Sequence, residues 1–134
     1  TTQAETNGIA IDATHVYWTN SQPLMSGQAM QCAKSNCAGT VTILAGGLSS
    51  PYAIAVDGTN AYFTQVGDTL LDGGGVFAGP GQVLRCAIGG CNGKPATFAD
   101  GLRRPLGIAL DTDAVYWAEM GMGDSDGQIV SRPK

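Results

Sequence analysis

The chain has 134 residues, 13% of them charged, and a formal net charge of −4. This charge argues against a nucleic-acid partner, because binding to nucleic acid needs a basic face. The length favours one domain, and 20 glycines suit short strands joined by tight turns. No apolar run reaches the roughly 18 residues of a membrane-spanning helix, so no membrane span is expected.

A short apolar run that ends in aspartate occurs three times, at residues 8–12, 53–57 and 107–111. Because nearly every position is apolar, each run is predicted to be a strand buried on both faces. Turn-forming residues follow each run, and such turns are stabilised by local hydrogen bonds of side chains. Asp12, Asp57 and Asp111 are therefore expected to accept backbone hydrogen bonds in their own turns, with a ring of carboxylates as the alternative.

Further strands follow each of these runs in a fixed order. The second strand carries an aromatic pair, at residues 17–18, 62–63 and 116–117. The third begins with Gly-Gln, at residues 27–32, 81–86 and 127–132. The fourth is predicted at residues 40–45 and 96–99, and a linker that ends in proline leads to the next unit. No sustained helical period is present, so no helix is predicted.

The strands repeat in units of approximately residues 7–51, 52–105 and 106–134, the last of which is incomplete. The spacing supports this register, because Cys37 to Pro51 and Cys91 to Pro105 are both 14 residues. Four short strands in about 45 residues are typical of a propeller blade. The units differ most between the second and third strands, and such variable loops are where repeat proteins usually place function.

The apolar-Asp strand, the Tyr-Trp-Thr-Asn segment at residues 17–20, Gly-Gln-x-x-x-Cys and the proline before the next unit resemble the YWTD and NHL class of propeller repeats. The resemblance implies an all-β fold, a β-propeller of four-stranded antiparallel blades arranged as a six-bladed ring. About three blades fall in this chain, as one half-propeller domain over residues 1–134. The last motif position is Asn20, Gln65 or Glu119 rather than the family's Asp, which ties neighbouring blades together. The resemblance therefore does not imply this contact between blades for the present chain.

An array of about three blades leaves two open ends and exposed strand edges. We expect a second copy of the chain to complete six blades as a homodimer. In that arrangement residues 1–4 could form the missing outer strand of a partner's last blade. The alternative is that the missing blades belong to the remainder of a longer propeller polypeptide.

The four cysteines form two Cys-x4-Cys pairs at the same place in the repeat, Cys32 with Cys37 and Cys86 with Cys91. They are predicted to form disulfides, which implies a secreted or periplasmic protein. A metal site of reduced cysteines is the alternative, although its ligands usually stand at closer spacing. The only histidine, His15, lies in a different part of the repeat.

The loops at residues 18–27, 65–81 and 119–126 are expected to share one face with the linkers between units. The residues at equivalent positions on this face are candidates for ligand binding: Trp18, Asn20, Phe63, Gln65, Trp117 and Glu119. If the aromatic rings were exposed, they could stack on a sugar or another flat ligand. Burial between neighbouring blades is favoured instead, because a motif present in every unit usually serves the unit.

An acidic loop at residues 119–127 contains Asp124 and Asp126, and Asp68 and Asp72 of the second unit are candidates to approach it. Clustered carboxylates suit Ca²⁺, which takes about 6–8 oxygen ligands. An Asp-x-Asp-Gly sequence alone falls short of an EF-hand loop. The favoured interpretation is a solvated acidic turn, with calcium as the alternative, and no cofactor is required.

No catalytic constellation is visible, because no serine stands in a nucleophile elbow. The sequence therefore favours a non-catalytic module that binds a carbohydrate or a protein through its variable loops. One alternative is a propeller enzyme, similar to a lactonase or another hydrolase, with a central metal ion. Another is a structural subunit that assembles through its open blade edges.

Overall fold

The computed structural model describes residues 5–22, 26–67, 80–120 and 125–134. These ranges contain eleven strands and one short helix, so the predicted all-β class is confirmed. The elements are β1 (Thr6–Ile11), β2 (His15–Asn20), β3 (Gly27–Ala33), α1 (Cys37–Thr40), β4 (Thr42–Leu48), β5 (Pro51–Val56), β6 (Asn60–Gln65), β7 (Gly81–Ala87), β8 (Ala96–Leu102), β9 (Pro105–Leu110), β10 (Ala114–Glu119) and β11 (Gln128–Pro133).

Consecutive strands form three antiparallel sheets, which we call sheets 1, 2 and 3. Sheet 1 has the order β1-β2-β3-β4, and sheet 2 has the order β5-β6-β7-β8. Sheet 3 consists of β9, β10 and β11 within the described ranges. Residues 1–4, which the sequence suggested as an outer strand for a partner, lie outside those ranges.

The sheets stack on one another, with the first strands β1, β5 and β9 adjacent in that order. Successive residues of a strand point to opposite faces, so Tyr17 packs toward sheet 2 while Trp18 points away from it. Two apolar clusters separate the sheets. The first contains Tyr17, Ala29, Leu44, Ala45, Leu48, Ile54, Ala61, Phe63, Leu84 and Cys86. The second contains Tyr62, Val83, Ala99, Val115 and Trp117.

The glycine that starts the third strand allows the following sheet to approach closely. A Cβ atom placed on Gly27 would lie 2.5 Å from Cδ of Pro51. The same atom on Gly81 would lie 2.3 Å from Cδ of Pro105. These distances are far below an ordinary carbon contact of about 3.5–4.0 Å. Gly27 and Gly81 thus serve the packing of one sheet on the next.

The cysteine loops contain both predicted disulfides, Cys32–Cys37 and Cys86–Cys91, so all four cysteines are paired. The prediction that the chain forms no helix is wrong for one turn, α1, which begins at Cys37. The side chain of Asn36 accepts a hydrogen bond from the backbone N–H of Gly39, which satisfies an otherwise free donor at the start of this turn. A single capped turn of this kind can form without the repeating apolar pattern from which longer helices are predicted.

Candidate functional site

One end of the sheets, here called the loop end, carries the loops between second and third strands and the linkers between units. The antiparallel register places the start of each first strand beside the end of the second. The facing residues are Thr6 with Asn20, Pro51 with Gln65, and Pro105 with Glu119. The loops and linkers therefore meet at one end, as the sequence predicted.

The linkers at the loop end adopt an uncommon backbone conformation immediately before each proline. Ser50 has a φ angle of 48° and Arg104 has a φ angle of 52°. Left-handed conformations are uncommon for residues other than glycine, and they persist only where the surroundings hold them. Backbone hydrogen bonds do so here, because the carbonyls of Ser50 and Arg104 accept from Val66 and Met120 at 3.2 Å.

Glu119 is buried at the loop end, where it accepts hydrogen bonds from two side chains of sheet 3 and from the linker that precedes this sheet. Its Oε1 atom accepts a hydrogen bond from Nε1 of Trp117 at 3.0 Å. Its Oε2 atom accepts from the backbone N–H of Arg103 at 3.3 Å and from Nε2 of Gln128 at 3.2 Å. The carboxylate of Glu119 thus joins the linker to the start of the third strand.

Gln65 makes the matching contacts in sheet 2. Its Oε1 atom accepts a hydrogen bond from the linker N–H of Ser49 at 3.0 Å, and its Nε2 atom donates to Oε1 of Gln82 at 3.3 Å. The amide of Gln82 then donates to Oδ1 of Asp100 at 3.2 Å. The sequence analysis did not assign a role to Gln82, although the Gly-Gln pair that recurs at the start of each third strand could have indicated one. Asn20, at the equivalent position in sheet 1, is buried.

Threonine hydroxyls, one residue earlier, connect each sheet to the next. Oγ1 of Thr19 donates to the carbonyl of Tyr52 at 2.8 Å, and Oγ1 of Thr64 donates to the carbonyl of Leu106 at 2.7 Å. Both threonine side chains are fully buried. The third unit has Ala118 at this position. Threonine therefore provides the hydrogen bond between sheets here, a role that sequence reasoning did not assign.

The three aromatic candidates differ in burial. Phe63 is 0% exposed and Trp117 is 2% exposed, because each ring packs between two sheets. The packing interpretation is confirmed for these two rings. Trp18 is only half-buried, because it points away from sheet 2 on the free side of sheet 1.

That free side, here called the outer face of sheet 1, is apolar. Its exposed side chains are Ile9, Ile11, Val41 and Ile43, beside the half-buried Val16 and Trp18. A groove of about 530 Å³ runs across this face, between β1 and the α1 segment. The outer face of sheet 1 is thus an exposed apolar surface in the described part of the chain.

The calcium candidates are placed only in part. Asp126 lies 3.3 Å from the guanidinium of Arg103, so its carboxylate already has a cationic neighbour. Asp68, Asp72 and Asp124 lie outside the described residues. Within the described ranges, no group of three His, Cys, Asp or Glu side chains could hold a metal ion. A calcium site at the acidic loop stays a prediction.

The aspartates that follow the first strands serve their own turns, as predicted. Oδ1 of Asp12 accepts hydrogen bonds from the backbone N–H groups of Thr14 and His15, both at 2.7 Å. Oδ2 of the same residue accepts from the hydroxyl of Tyr17 at 2.7 Å. These donors favour the ionised carboxylate, so they hold the pKa of Asp12 well below its ordinary value, with the Tyr17 hydroxyl contributing most.

The other two aspartates repeat this turn. Oδ1 of Asp57 accepts from two backbone N–H groups, as does Oδ1 of Asp111. The hydroxyl of Tyr116 donates to Asp111 at 2.7 Å, while Nζ of Lys134 lies 3.0 Å from Oδ2 of Asp57. This Lys134–Asp57 pair connects sheet 3 to sheet 2.

No protein-family model matches the chain, and no curated protein matches it significantly. The resemblance to YWTD and NHL repeats therefore stays a prediction from the sequence motifs. In the part of the chain that the structure describes, no helix has the length and apolar character needed to cross a membrane.

Proposed function

We propose that the chain is a non-catalytic binding module of the β-propeller type, which binds its ligand through the loops at the loop end. The observation that carries this proposal is the concentration of variable loops and strained linkers at one end of three stacked sheets. Gln65 and Glu119 brace these linkers from inside, so the candidates at the motif's last position support the binding surface. Repeat proteins typically combine such a rigid base with variable loops for recognition.

The stacking of sheets through β1, β5 and β9 supports a propeller, in which first strands lie nearest the axis. Six blades are proposed for the complete ring, of which this chain supplies three, and a second copy is proposed to supply the others. The two disulfides support a secreted or periplasmic location, where the redox environment preserves them.

The ligand class is proposed to be a carbohydrate or an extracellular protein. A glycan array and a panel of purified extracellular proteins would be probed with the wild-type chain and two variants. In the first variant, residues 69–79 are replaced by a short Gly-Ser linker. The matched control changes residues 92–94, in the cysteine loop at the opposite end of the same sheet. We expect binding to be lost in the first variant and kept in the control.

Binding that survived the loop replacement, or was lost equally in both variants, would contradict the proposed surface. Metal analysis of the purified chain addresses the alternative enzyme function. Stoichiometric Ca²⁺ or Zn²⁺, together with hydrolysis of lactones that stops when the metal is chelated, would favour a propeller hydrolase over a binding module.

A further inference from the structure

We propose that Asn92 is a site of spontaneous covalent modification, at which the side-chain amide is lost as ammonia and an isoaspartate or aspartate residue is formed. Asn92 lies in the cysteine loop of sheet 2, at the end opposite the loop end, so the inference does not depend on the proposed binding function. The dipeptide Asn-Gly occurs twice in the chain, at residues 7–8 and 92–93. Only the structure distinguishes the two.

The reaction closes a five-membered ring between an asparagine and the residue that follows it. The backbone nitrogen of that residue attacks Cγ of the asparagine, an N–Cγ bond forms, and the Cγ–Nδ2 bond breaks. The proton of the attacking nitrogen passes through water to Nδ2, which leaves as ammonia. Water then opens the ring at either of its two carbonyls, which gives isoaspartate or aspartate. Glycine favours the attack because it has no Cβ and its backbone rotates freely.

Asn92 and Gly93 are the two central residues of a tight turn. Their φ angles are 53° and 72°, and the N–H of Lys94 donates to the carbonyl of Cys91 at 3.0 Å. Positive φ at both central positions is the mark of a type I′ turn, which explains why Asn-Gly stands here. The hydrogen bond of the turn uses its first carbonyl and its last N–H. The two reacting groups therefore take no part in it.

The reacting groups at Asn92 are open to water. Asn92, Gly93 and Lys94 are all exposed, and a Cβ atom on Gly93 would meet nothing within 4 Å. In the described part of the chain, neither the Asn92 side chain nor the Gly93 N–H makes a hydrogen bond. Ring closure requires rotation of the backbone at Asn92, and the exposed bond from Lys94 to Cys91 is what resists it. Exposed turns of this kind open at little cost in free energy.

Asn7 is also exposed, but hydrogen bonds hold both of its reacting groups. Its Nδ2 atom donates to Oγ of Ser21 at 2.8 Å and to the carbonyl of Pro51 at 3.2 Å. The N–H of Gly8, which would supply the attacking nitrogen, donates to Oγ1 of Thr19 at 3.0 Å. Reaction at Asn7 must therefore break bonds that Asn92 does not have.

The packing of sheet 2 on sheet 1 adds to the protection of Asn7. A Cβ atom on Gly8 would lie 2.6 Å from the carbonyl oxygen of Tyr52 and 2.7 Å from Cα of Ala53. Rotation of the backbone here would have to push the first strand of sheet 2 aside. β1 is also paired with β2 before and after the dipeptide. Asn7 can thus react only when β1 opens, which costs free energy that Asn92 is spared.

The product changes the turn in which it forms. An isoaspartate residue continues the chain through its side-chain carboxyl carbon, which inserts one extra carbon into the backbone between positions 92 and 93. The lengthened turn cannot keep the bond from Lys94 to Cys91, and it gains a carboxylate. The Cys86–Cys91 disulfide fixes the chain before the turn, and β8 begins at Ala96 after it. We therefore expect the change to stay within the cysteine loop.

The test follows both asparagines in the folded, oxidised chain during storage in mildly alkaline buffer. Peptide mapping with mass spectrometry would measure the conversion of each amide to a carboxylate, and chromatography would separate isoaspartate from aspartate. We expect Asn92 to react at least about tenfold faster than Asn7, because Asn7 must wait for β1 to open.

The same chain, reduced and denatured, is the control for the role of the fold. Both asparagines should then react at similar rates, since each precedes a glycine. Asn92→Gln should remove the fast reaction of the folded chain, because glutamine would have to close a six-membered ring. Asn7→Gln is the matched variant and should leave the fast reaction unchanged.

Equal rates for the two asparagines in the folded chain would overturn the inference. So would an Asn92 that stays intact in the folded chain for as long as the denatured chain takes to react completely. Loss of the fast reaction in Asn7→Gln, with its survival in Asn92→Gln, would assign the site to Asn7 instead. Ligand binding plays no part in this measurement, so a failure of the proposed function would leave the result standing.

Discussion

The closest contact between sheets gives the sharpest test of their packing, through the substitution Gly81→Ala. The added methyl group would lie 2.3 Å from Cδ and 3.1 Å from Cγ of Pro105, and 2.9 Å from the carbonyl oxygen of Leu102. The proline ring and the backbone carbonyl have little freedom to move aside, since both belong to paired strands. Sheet 3 must therefore shift away from sheet 2.

Overpacking of this kind typically costs about 1–3 kcal/mol. Alanine gains back up to about 1 kcal/mol relative to glycine, because it lowers the conformational entropy of the unfolded chain. We therefore expect Gly81→Ala to lower the free energy of unfolding by about 2 kcal/mol, since the contact is more than 1 Å too short. The corresponding fall in Tm is about 8 °C for a domain of this size.

The measurement is urea unfolding at equilibrium, followed by tryptophan fluorescence with both disulfides oxidised. Gly89→Ala is the matched control, because a Cβ atom at Gly89 would have no neighbour within 4 Å. Its backbone φ is not in the left-handed region, so alanine is expected to leave the stability unchanged or slightly raised. If Gly81→Ala proved as stable as Gly89→Ala, Pro105 would not pack on this glycine and the stacking of sheets 2 and 3 described here would be refuted.

Two further perturbations test the hydrogen bonds of the sheets. Thr64→Val should lower the free energy of unfolding by about 1–3 kcal/mol, because the half-buried carbonyl of Leu106 and N–H of Ala53 would lose their partner. The exposed Thr97→Val is the control, and equal effects of the two substitutions in urea unfolding would refute the role of the Thr64 hydroxyl. Because the pKa of Asp12 is lowered by folding, its contribution to stability is complete above about pH 4 and declines as the pH falls toward the folded pKa. Tyr17→Phe removes the largest cause of that shift, so stability measured from pH 2 to 7 should fall less steeply in acid, and an unchanged slope would contradict the assignment.

The sequence by itself determined the order of the strands, the turns and the disulfides, because these depend on short-range rules. The prediction that each first strand is buried on both faces is wrong for β1, because no sheet packs on the side that carries Ile9 and Ile11. The Asp12 turn requires only an oxygen within reach of backbone groups two and three residues later. The pairing of Cys86 with Cys91 joins neighbours in the chain. The spacing of glycine and proline likewise predicted the linkers at Pro51 and Pro105.

Only the tertiary structure decided how the repeat positions are used between sheets. Thr19 and Thr64 look like ordinary strand residues in the sequence, and their hydroxyls gain a role only because the next sheet places a carbonyl within 2.8 Å. The sequence made Glu119 a candidate for ligand binding, but its carboxylate accepts a hydrogen bond from the backbone N–H of Arg103 in the preceding linker. Trp18 and Trp117 share one motif but differ in burial, since burial depends on whether a sheet precedes them. Local sequence preferences cannot predict whether a residue has a neighbouring sheet, because the presence of that sheet depends on how whole sheets stack.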